Sequence, residues 1–143
     1  MAKVKVVQLH KELPLPRYQT SGSAGMDVHS AEDLILKKGE IKLVPTGLFF
    51  ALPEGYELSV RPRSGLALKH GITLLNSPGT LDSDYRGELK IILINHGPAD
   101  FEIKKCDRIA QIVLNRYEPI EWHEVAELDD TERKSGGFGH TGI

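Results

Sequence analysis

Cysteine is nearly absent from this sequence of 143 residues, which contains only Cys106. A single cysteine excludes an internal disulfide. Because no Cys/His cluster surrounds it, Cys106 is predicted to be structural rather than a metal ligand. No apolar run approaches the length of a membrane span, and the first ten residues lack the apolar core of a signal peptide. We therefore expect a cytoplasmic protein with no membrane partner.

An excess of basic residues is also missing, because 18 Lys and Arg stand against 20 Asp and Glu, for a formal net charge of -2. Proteins that bind a nucleic-acid backbone usually carry a strong positive excess. We therefore expect no nucleic-acid partner. Any phosphate site must be local and built from a few placed arginines.

Long helical repeats are missing as well, since no stretch of ten residues shows a helical apolar period. Short apolar or alternating segments instead recur between Gly and Pro turns, which is typical of an all-β sandwich or jelly roll. The length and the 40% hydrophobic fraction suit one globular domain. Strands are predicted at residues 3–9, 34–36, 41–44, 47–52, 56–63, 72–75, 89–94, 101–103 and 108–114, with a last strand around Trp122 and Val125.

The one helical candidate is brief and begins near Ser64, which is predicted to be its N-cap, with Gly71 as its stop. A helix N-terminus favours anions, and Arg63 directly before it adds a guanidinium that can bind phosphate in a bidentate manner. A purely structural cap is the alternative. The coincidence of a cap, a glycine and an arginine favours the phosphate site.

Residues 71–90 carry the densest set of reactive side chains. Two apolar segments that are predicted strands flank a connection longer than a plain hairpin needs. The connection contains a Pro-Gly turn signal followed by Asp82, Asp84, Tyr85 and Arg86. Because Asp and Ser are also ordinary turn formers, the segment alone leaves both a chemical role and a plain turn open.

Two polar side chains, Arg108 and Gln111, interrupt an otherwise apolar strand. An unpaired polar side chain is costly to bury. Each of the two is therefore predicted to have a partner or a ligand.

Residues 127–143 differ from the rest of the chain, because acidic residues precede a Gly-rich and Ser-rich stretch with little apolar content. A disordered terminus is the plain interpretation. The alternative is an arm that closes over a nucleotide, with Phe138 on the base and with Arg133 and Thr141 on the phosphates.

Five segments in order resemble the motifs of the trimeric dUTP diphosphatase (dUTPase) family. They read AGMDVHS at residues 24–30, PRSGLALKHGI at 62–72, NSPGTLDSDYRG at 76–87, RIAQIVL at 108–114 and RKSGGFGHTG at 133–142. Any one of these motifs is weak evidence, but five in this order cover nearly the whole chain and are highly specific.

The resemblance implies an all-β, distorted jelly-roll or β-clip subunit with one short helix, assembled as a homotrimer with three shared active sites. Residues 1–126 form the β-barrel domain, and residues 127–143 form a flexible C-terminal arm that closes the active site. The implied reaction is hydrolysis of dUTP to dUMP and pyrophosphate with Mg²⁺. This reaction limits uracil incorporation into DNA and supplies dUMP for dTMP synthesis.

The resemblance also assigns roles to individual residues. Asp82 is the general base for the attacking water, and Asp27 and Gln111 orient waters around a Mg²⁺ that the substrate phosphates hold. The residues that bind substrate are Arg63, Ser64, Gly65, Asn76, Thr80, Leu81, Tyr85, Lys90, Arg133, Phe138, Gly139 and Thr141. Asp84 is interpreted as a turn residue or a partner of Arg86 rather than a second base.

Two alternative functions differ from this interpretation. A dCTP deaminase of the same fold needs a glutamate on the strand after the hairpin, where Ile92 stands here. A non-catalytic nucleotide-binding or protein-binding protein would show a degenerate site, and neither Asp82 nor the C-terminal arm is lost.

Overall fold

A computed structural model describes residues 1–138 of the chain and shows ten strands and one helix in that range. The strands are β1 (Lys5–Gln8), β2 (Met26–His29), β3 (Leu34–Leu36), β4 (Ile41–Ala51), β5 (Tyr56–Arg61), β6 (Ile72–Leu74), β7 (Gly79–Leu81), β8 (Glu88–Asn95), β9 (Phe101–Ile103) and β10 (Arg108–Arg116). The helix α1 (Ser64–His70) lies between β5 and β6. The prediction of an all-β subunit with one short helix is confirmed.

The strands form two four-stranded sheets and one two-stranded sheet, and every pairing is antiparallel. The first sheet has the order β1-β4-β8-β6, the second has the order β2-β10-β5-β7, and β3 pairs with β9. Neighbours within a sheet are distant in sequence, as expected for a jelly roll. The second sheet brings β2, β5 and β10 side by side, and these strands carry or precede several of the predicted site residues.

The core consists of aliphatic side chains from both large sheets, packed into one cluster. Strand β8 shows the pattern most clearly, because Leu89, Ile91 and Leu93 are buried on one face. On the opposite face Lys90 is exposed and Ile92 is half-buried. Alternation of this kind is the normal result of a pleated strand with one face on the core.

One long strand replaces the two strands predicted at residues 41–44 and 47–52. Strand β4 continues through Thr46 and Gly47, with a shift of its register against β8 between Pro45 and Leu48. Gly47 has a φ of +68°, which glycine adopts easily. The Thr46 hydroxyl donates to Leu89 O at 2.6 Å, and the Gly47 amide donates to the Glu88 carboxylate at 2.8 Å. These bonds hold the irregularity within one strand.

Helix α1 begins one residue earlier than predicted. Arg63 occupies the N-cap position with extended backbone angles, no side chain bonds the free amides there, and Ser64 is the first helical residue. The prediction of Ser64 as N-cap was therefore wrong. Gly71 ends the helix as predicted, with a φ of +68° and its N–H bonded to the carbonyls of Ala67 and Leu66.

Three further details differ from the prediction. No strand follows Arg116 in the described part of the chain, and Trp122 is 85% exposed there, so the predicted last strand was wrong. Strand β1 is shorter than the strand predicted at residues 3–9, and it lies at a sheet edge with Val6 and Val7 both exposed. The three-residue strand β7 was missed, since its pairing with β5 compensates for a weak local pattern. Among the described residues, no helix is long and apolar enough to cross a membrane.

We expect Gly71→Ala to lower the free energy of unfolding much more than Gly39→Ala. Both glycines have positive φ, so each substitution costs about 1 kcal/mol from backbone strain alone. A Cβ at Gly71 would also lie 2.6 Å from the Gly97 backbone, whereas nothing lies within 4 Å of one at Gly39. The additional clash should add about 1–3 kcal/mol, measurable by chemical denaturation. Equal losses for the two variants would contradict this account of the helix end.

Candidate active site

A cavity of about 290 Å³ lies between β5, β6, β7 and β8, beneath the segment that the sequence singled out. Six of the predicted substrate and catalytic residues line it: Asn76, Thr80, Leu81, Asp82, Tyr85 and Lys90. Apolar residues of the strands, including Val60, Leu74 and Ile91, form its floor. A largely apolar cleft with a few polar groups is the usual form of a small-molecule site.

Close backbone approach at Gly79 lets Asn76 face this cavity. A Cβ at position 79 would lie 3.1 Å from Asn76 Nδ2 and 3.3 Å from Val60 Cβ, which leaves no comfortable room for a side chain. The Ser77 hydroxyl donates to Leu74 O at 2.6 Å and holds the turn against β6. The pairing of β7 with β5 then sets the position of Thr80, whose partner is Ser59.

Tyr85 is fixed by its own loop. Its hydroxyl donates to Glu88 O at 3.3 Å, and its ring lies against Gly87, where a Cβ would overlap the phenol. Glycine at position 87 is therefore a steric requirement for this placement of the ring. Glu88 also lines the cavity, and one of its carboxylate oxygens lies 3.7 Å from Lys90 Nζ.

Asp82 and Asp84 differ in position although they are close in sequence. Asp82 directly follows β7, is exposed and lines the cavity. Within the described residues its carboxylate has no hydrogen-bond or salt-bridge partner. Asp84 lies outside the cavity, and Arg86 donates to the carbonyls of Ser83 and Tyr85 at 2.7 and 2.9 Å instead of pairing with Asp84. The turn interpretation of Asp84 is supported, and its suggested pairing with Arg86 is not observed.

A second polar cluster, which we call the Asp27 cluster, comprises Asp27, Arg63, Arg108 and Gln111. Asp27 Oδ1 accepts from Arg63 Nε at 3.1 Å and from Gln111 Nε2 at 3.3 Å. Asp27 Oδ2 accepts from Arg108 Nη1 at 3.3 Å. The sheet explains the meeting, because Gln111 is the cross-strand partner of both Asp27 and Arg61. The expectation that Arg108 and Gln111 have partners is confirmed.

The two groups of site residues do not line one common cavity in a single protomer. Arg63, Ser64 and Gly65 lie at the start of α1, and none of them lines the cavity that contains Asp82. Ser64 and Gly65 are exposed, and Arg63 is oriented by Asp27 and by Arg108 O, to which its Nη1 donates at 3.0 Å.

The family model described as dUTPase matches residues 11–142 of the chain. The chain belongs to the dUTPase family. Among curated relatives, the deoxyuridine 5'-triphosphate nucleotidohydrolase of Nautilia profundicola is 59% identical over 140 residues, which cover 98% of this chain and 99% of that protein. The enzyme of the same name from Fusobacterium nucleatum subsp. nucleatum is 59% identical over 145 residues, covering 99% of each.

Solved dUTPases have the same fold. The dUTPase of Staphylococcus bacteriophage 80alpha with dUpNHpp, an analogue of dUTP, is similar with a TM-score of 0.90 and 26% identity, covering 99% of each chain. A mutant dUTPase from phage phi11 of S. aureus, described with a structural Mg(II) ion, has a TM-score of 0.81 and 23% identity, covering 90% of this chain and 99% of that one. The second likeness shows the fold alone.

Arg133 and Phe138, the two predicted arm residues that the structure describes, do not line the cavity of their own chain. Arg133 Nε donates to Gly136 O at 2.8 Å, and Phe138 is fully exposed. Two other predicted arm residues, Gly139 and Thr141, lie outside the described residues. The arm therefore stays a prediction.

The Asp27 cluster also bears on Mg²⁺, which dUTPases are expected to use. Among the described residues, no group of three or more His, Cys, Asp or Glu side chains could hold a metal ion. Asp27 retains one lone pair on Oδ2, and Gln111 retains its Oε1 as an acceptor. These acceptors fit metal-bound waters, as suits an ion that keeps its waters and binds through substrate phosphates.

Sequence reasoning missed Glu88 and Arg108 as site residues. Glu88 is the first residue of a strand, and a carboxylate at such a position is indistinguishable in sequence from an ordinary surface residue. Arg108 was noticed as a polar interruption, but its partner became evident only when β2 and β10 were placed side by side.

His29 makes the stability of this region depend on pH. Its Nδ1 is buried without a partner among the described residues. Burial lowers the pKa of His29 below its usual 6.5, helped by Arg108 and Arg63 and opposed by Asp27. As the pH falls, His29 therefore takes up a proton near pH 6.5 in the unfolded chain but only at a lower pH in the folded chain. This contribution to stability is complete above pH 6.5 and declines as the pH falls toward the folded pKa.

We expect the unfolding temperature to fall between about pH 7.5 and 5.5, and to fall less in His29→Gln. His123→Gln is the matched control, because His123 is exposed in the segment after β10. The measurement is thermal unfolding by circular dichroism across this range. The same pH slope in His29→Gln as in the unaltered chain would show that His29 does not contribute.

Proposed function

We propose that this chain hydrolyses dUTP to dUMP and pyrophosphate by in-line attack on the α-phosphorus of a water activated by Asp82. The position of Asp82 carries the proposal. Its carboxylate, which has no partner among the described residues, lines a nucleoside-sized cavity in a member of the dUTPase family. A carboxylate is a competent general base at neutral pH when it is within hydrogen-bond reach of the water. In the cell this activity limits uracil incorporation into DNA and supplies dUMP for dTMP synthesis.

The deoxyuridine occupies the cavity in this proposal. The Asn76 amide and nearby backbone groups read the uracil edge, while apolar side chains such as Leu81 and Ile91 pack around the nucleoside. Thr80 lies beside the sugar. The depth of the cavity excludes the methyl group of thymine, since a packed pocket cannot relax around an added group without strain.

Tyr85 forms the gate for the sugar. Its ring presses against the deoxyribose and leaves no room for a ribose 2′-hydroxyl. Support comes from the restraint of the phenol, which has Gly87 on one side and a bond from its hydroxyl to Glu88 O. A restrained ring discriminates better than a mobile one, because rejection depends on a clash that cannot be relieved.

The phosphates bind at Arg63, Ser64 and Gly65, and this requires more than one subunit. These residues do not line the cavity of their own chain. We infer that a nucleotide held by both groups bridges two copies of the chain, as in the homotrimer with three shared sites that the family resemblance implies. The two groups meet at the α-phosphate, where charge neutralisation and positioning account for most of the catalysis.

Bound Mg²⁺ would supply charge neutralisation on the three phosphates. Asp27 and Gln111 then accept hydrogen bonds from its waters through the acceptors that the Asp27 cluster leaves free. We also place the protein in the cytoplasm, because the sequence has a single cysteine, no apolar run of membrane-spanning length and no apolar core of a signal peptide in its first ten residues.

The C-terminal residues 127–143 form the arm that closes a neighbouring site. Phe138 stacks on the uracil, Arg133 and Thr141 bind the β- and γ-phosphates, and Gly139 lets the backbone approach them. Support comes from the full exposure of Phe138, because a large apolar side chain left in water gains from covering a base.

The cavity disfavours deamination of dCTP. The strand after the hairpin places Ile92, not a carboxylate, in the lining. Glu88 at the start of that strand also lines the cavity, but its carboxylate accepts a hydrogen bond from the Gly47 amide and lies beside Lys90. The described lining therefore offers no evident group at position 92 to move protons at the cytosine C4.

We expect Asp82→Asn to keep dUTP binding and to lower turnover by at least about a hundredfold, because an amide cannot accept the proton of the attacking water. Asp84→Asn is the matched control and should retain near-normal turnover, since Asp84 lies outside the cavity. Pyrophosphate release measures turnover, and calorimetry with a non-hydrolysed analogue measures binding. Near-normal turnover in Asp82→Asn would reject the assignment of the base.

We expect pyrophosphate release, with Mg²⁺ present, from dUTP but not from dCTP, dTTP or UTP. In Tyr85→Ala the ratio of UTP to dUTP turnover should rise, because the side chain that excludes the 2′-hydroxyl is gone. Release from dCTP would favour the deaminase branch of the fold. No release from any of the four would favour a non-catalytic binding protein.

A chain that ends at residue 126 extends the same assay to the arm. It should keep the unfolding temperature of the full chain and lose most of its dUTP turnover. An unchanged rate would remove the arm from the mechanism.

A further inference from the structure

Glu88 lines the cavity, but its carboxylate is bonded within the protein. One oxygen, Oε1, accepts from the Gly47 amide at 2.8 Å, and the other, Oε2, lies 3.7 Å from Lys90 Nζ. The side chain is only 18% exposed. Removing a carboxylate from water costs free energy unless the group is paired and hydrogen-bonded. The contacts of this carboxylate are therefore what residue 88 contributes to the fold.

Those contacts lie where β8 begins and where its pairing with β4 is irregular. Glu88 pairs with Phe49 at the end of the ladder, one pair beyond the point where the register of the two strands shifts. A β-bulge disrupts the ladder locally. Two bonds from the irregular part of β4 compensate, since Thr46 donates its hydroxyl to Leu89 O at 2.6 Å and Gly47 donates its amide to Glu88 at 2.8 Å. The start of β8 therefore depends on side-chain bonds as well as on backbone pairing.

The bulge to which Glu88 is bonded is itself held from the other side. Gly47 O accepts from the Leu9 amide at 2.9 Å, directly after β1. A Cβ at Gly47 would overlap the imidazole of His10, so the N-terminal segment packs directly on the bulge. Thr46 is only 2% exposed. The bulge is thus a restrained part of the chain, and a bond to it fixes the position of residue 88.

The main chain of Glu88 is in turn the point that the Tyr85 side chain reaches. The Tyr85 hydroxyl donates to Glu88 O at 3.3 Å, and the ring lies against Gly87. Tyr85 is otherwise 47% exposed, so few other contacts restrain it. The position of the phenol therefore follows the position of the first residue of β8. Displacement of a positioning group by about 1 Å is enough to change recognition strongly.

We propose that Glu88 is a positioning residue for the sugar gate. Its carboxylate holds the start of β8 against the bulge of β4 and thereby fixes Tyr85 where the ring excludes a ribose 2′-hydroxyl. The inference rests on the proposed function, because it deepens the role given there to Tyr85. Preference for deoxyribose then depends on a side chain whose hydrogen bond is made to the protein and not to the nucleotide.

The test compares the affinities of the full-length chain for the imido analogues of dUTP and UTP, measured by calorimetry with Mg²⁺ present. We expect Glu88→Ala to lower the ratio that favours the deoxy analogue about tenfold, because the ring can move aside for the 2′-hydroxyl. Glu88→Gln keeps an oxygen that accepts from the Gly47 amide and should retain most of the ratio.

Glu40→Ala is the matched control. Glu40 also accepts from a backbone amide, that of Lys37, at 2.8 Å, and it also lies 3.7 Å from a lysine Nζ, that of Lys42. It does not line the cavity. The control thus removes the same two kinds of contact at the other end of β4 and should leave the ratio unchanged.

Thr46→Val tests the same restraint from the buried side of β4. The substitution keeps the shape of the side chain and removes the bond to Leu89 O. It should lower the ratio in the same direction, although Thr46 does not line the cavity. A purely structural role would lower the unfolding temperature, measured by circular dichroism, without changing the ratio. Should Glu88→Ala fail to fold, Thr46→Val decides.

The outcomes separate this inference from the proposed function. An unchanged ratio in a folded Glu88→Ala or Thr46→Val, or an equal loss in Glu40→Ala, overturns the inference even if dUTP is hydrolysed. A loss as large in Glu88→Gln as in Glu88→Ala overturns it too, because the bond to Gly47 would then not be the cause. An unaltered chain that binds neither analogue, or both equally, also overturns it. A ratio that depends on Glu88 in a chain that releases no pyrophosphate from dUTP upholds the inference and rejects the function.

Discussion

The position of β10 between β2 and β5 is the constraint on which the site depends. Through this pairing Gln111 faces Asp27 on one side and Arg61 on the other, so Arg63, two residues beyond Arg61, reaches the same carboxylate. The next strand of the sheet, β7, pairs with β5 and ends directly before Asp82. One four-stranded sheet therefore positions both the proposed phosphate-binding residues and the proposed general base.

The two parts of the site, the cavity and the Asp27 cluster, depend on different kinds of interaction. The cavity around Asn76 and Tyr85 depends on shape, and glycines at positions 79 and 87 let backbone and ring approach where a Cβ would collide. The Asp27 cluster depends on charge and hydrogen bonds, with two guanidinium groups shared by one buried carboxylate. Shape suits the choice of base and sugar, while fixed charge suits a phosphate chain that all nucleotides share.

Much of the fold could be predicted from local pattern, and the errors have identifiable causes. Alternation predicted β5, because a pleated strand with one face on the core leaves a period of two in the sequence. Short apolar runs bounded by turn residues predicted β8 and β10. The prediction of a last strand near Trp122 was wrong, since a few apolar residues form a strand only when a neighbouring strand is available for backbone pairing. The division of β4 was wrong because a β-bulge resembles a turn in sequence. Strand β7 was missed because three residues carry too little pattern.

By itself, the sequence determined the all-β class, the family and the residue types of the site, because turn chemistry and motif order are local and survive without coordinates. Only the tertiary structure decided that Asp27 bonds Arg63, Arg108 and Gln111, that Asp84 lies outside the cavity, and that Gly87 supports Tyr85. These facts depend on strand register and on loop packing, which join residues distant in sequence. Local pattern cannot specify such contacts, because a shift of register by one residue turns every side chain to the opposite face.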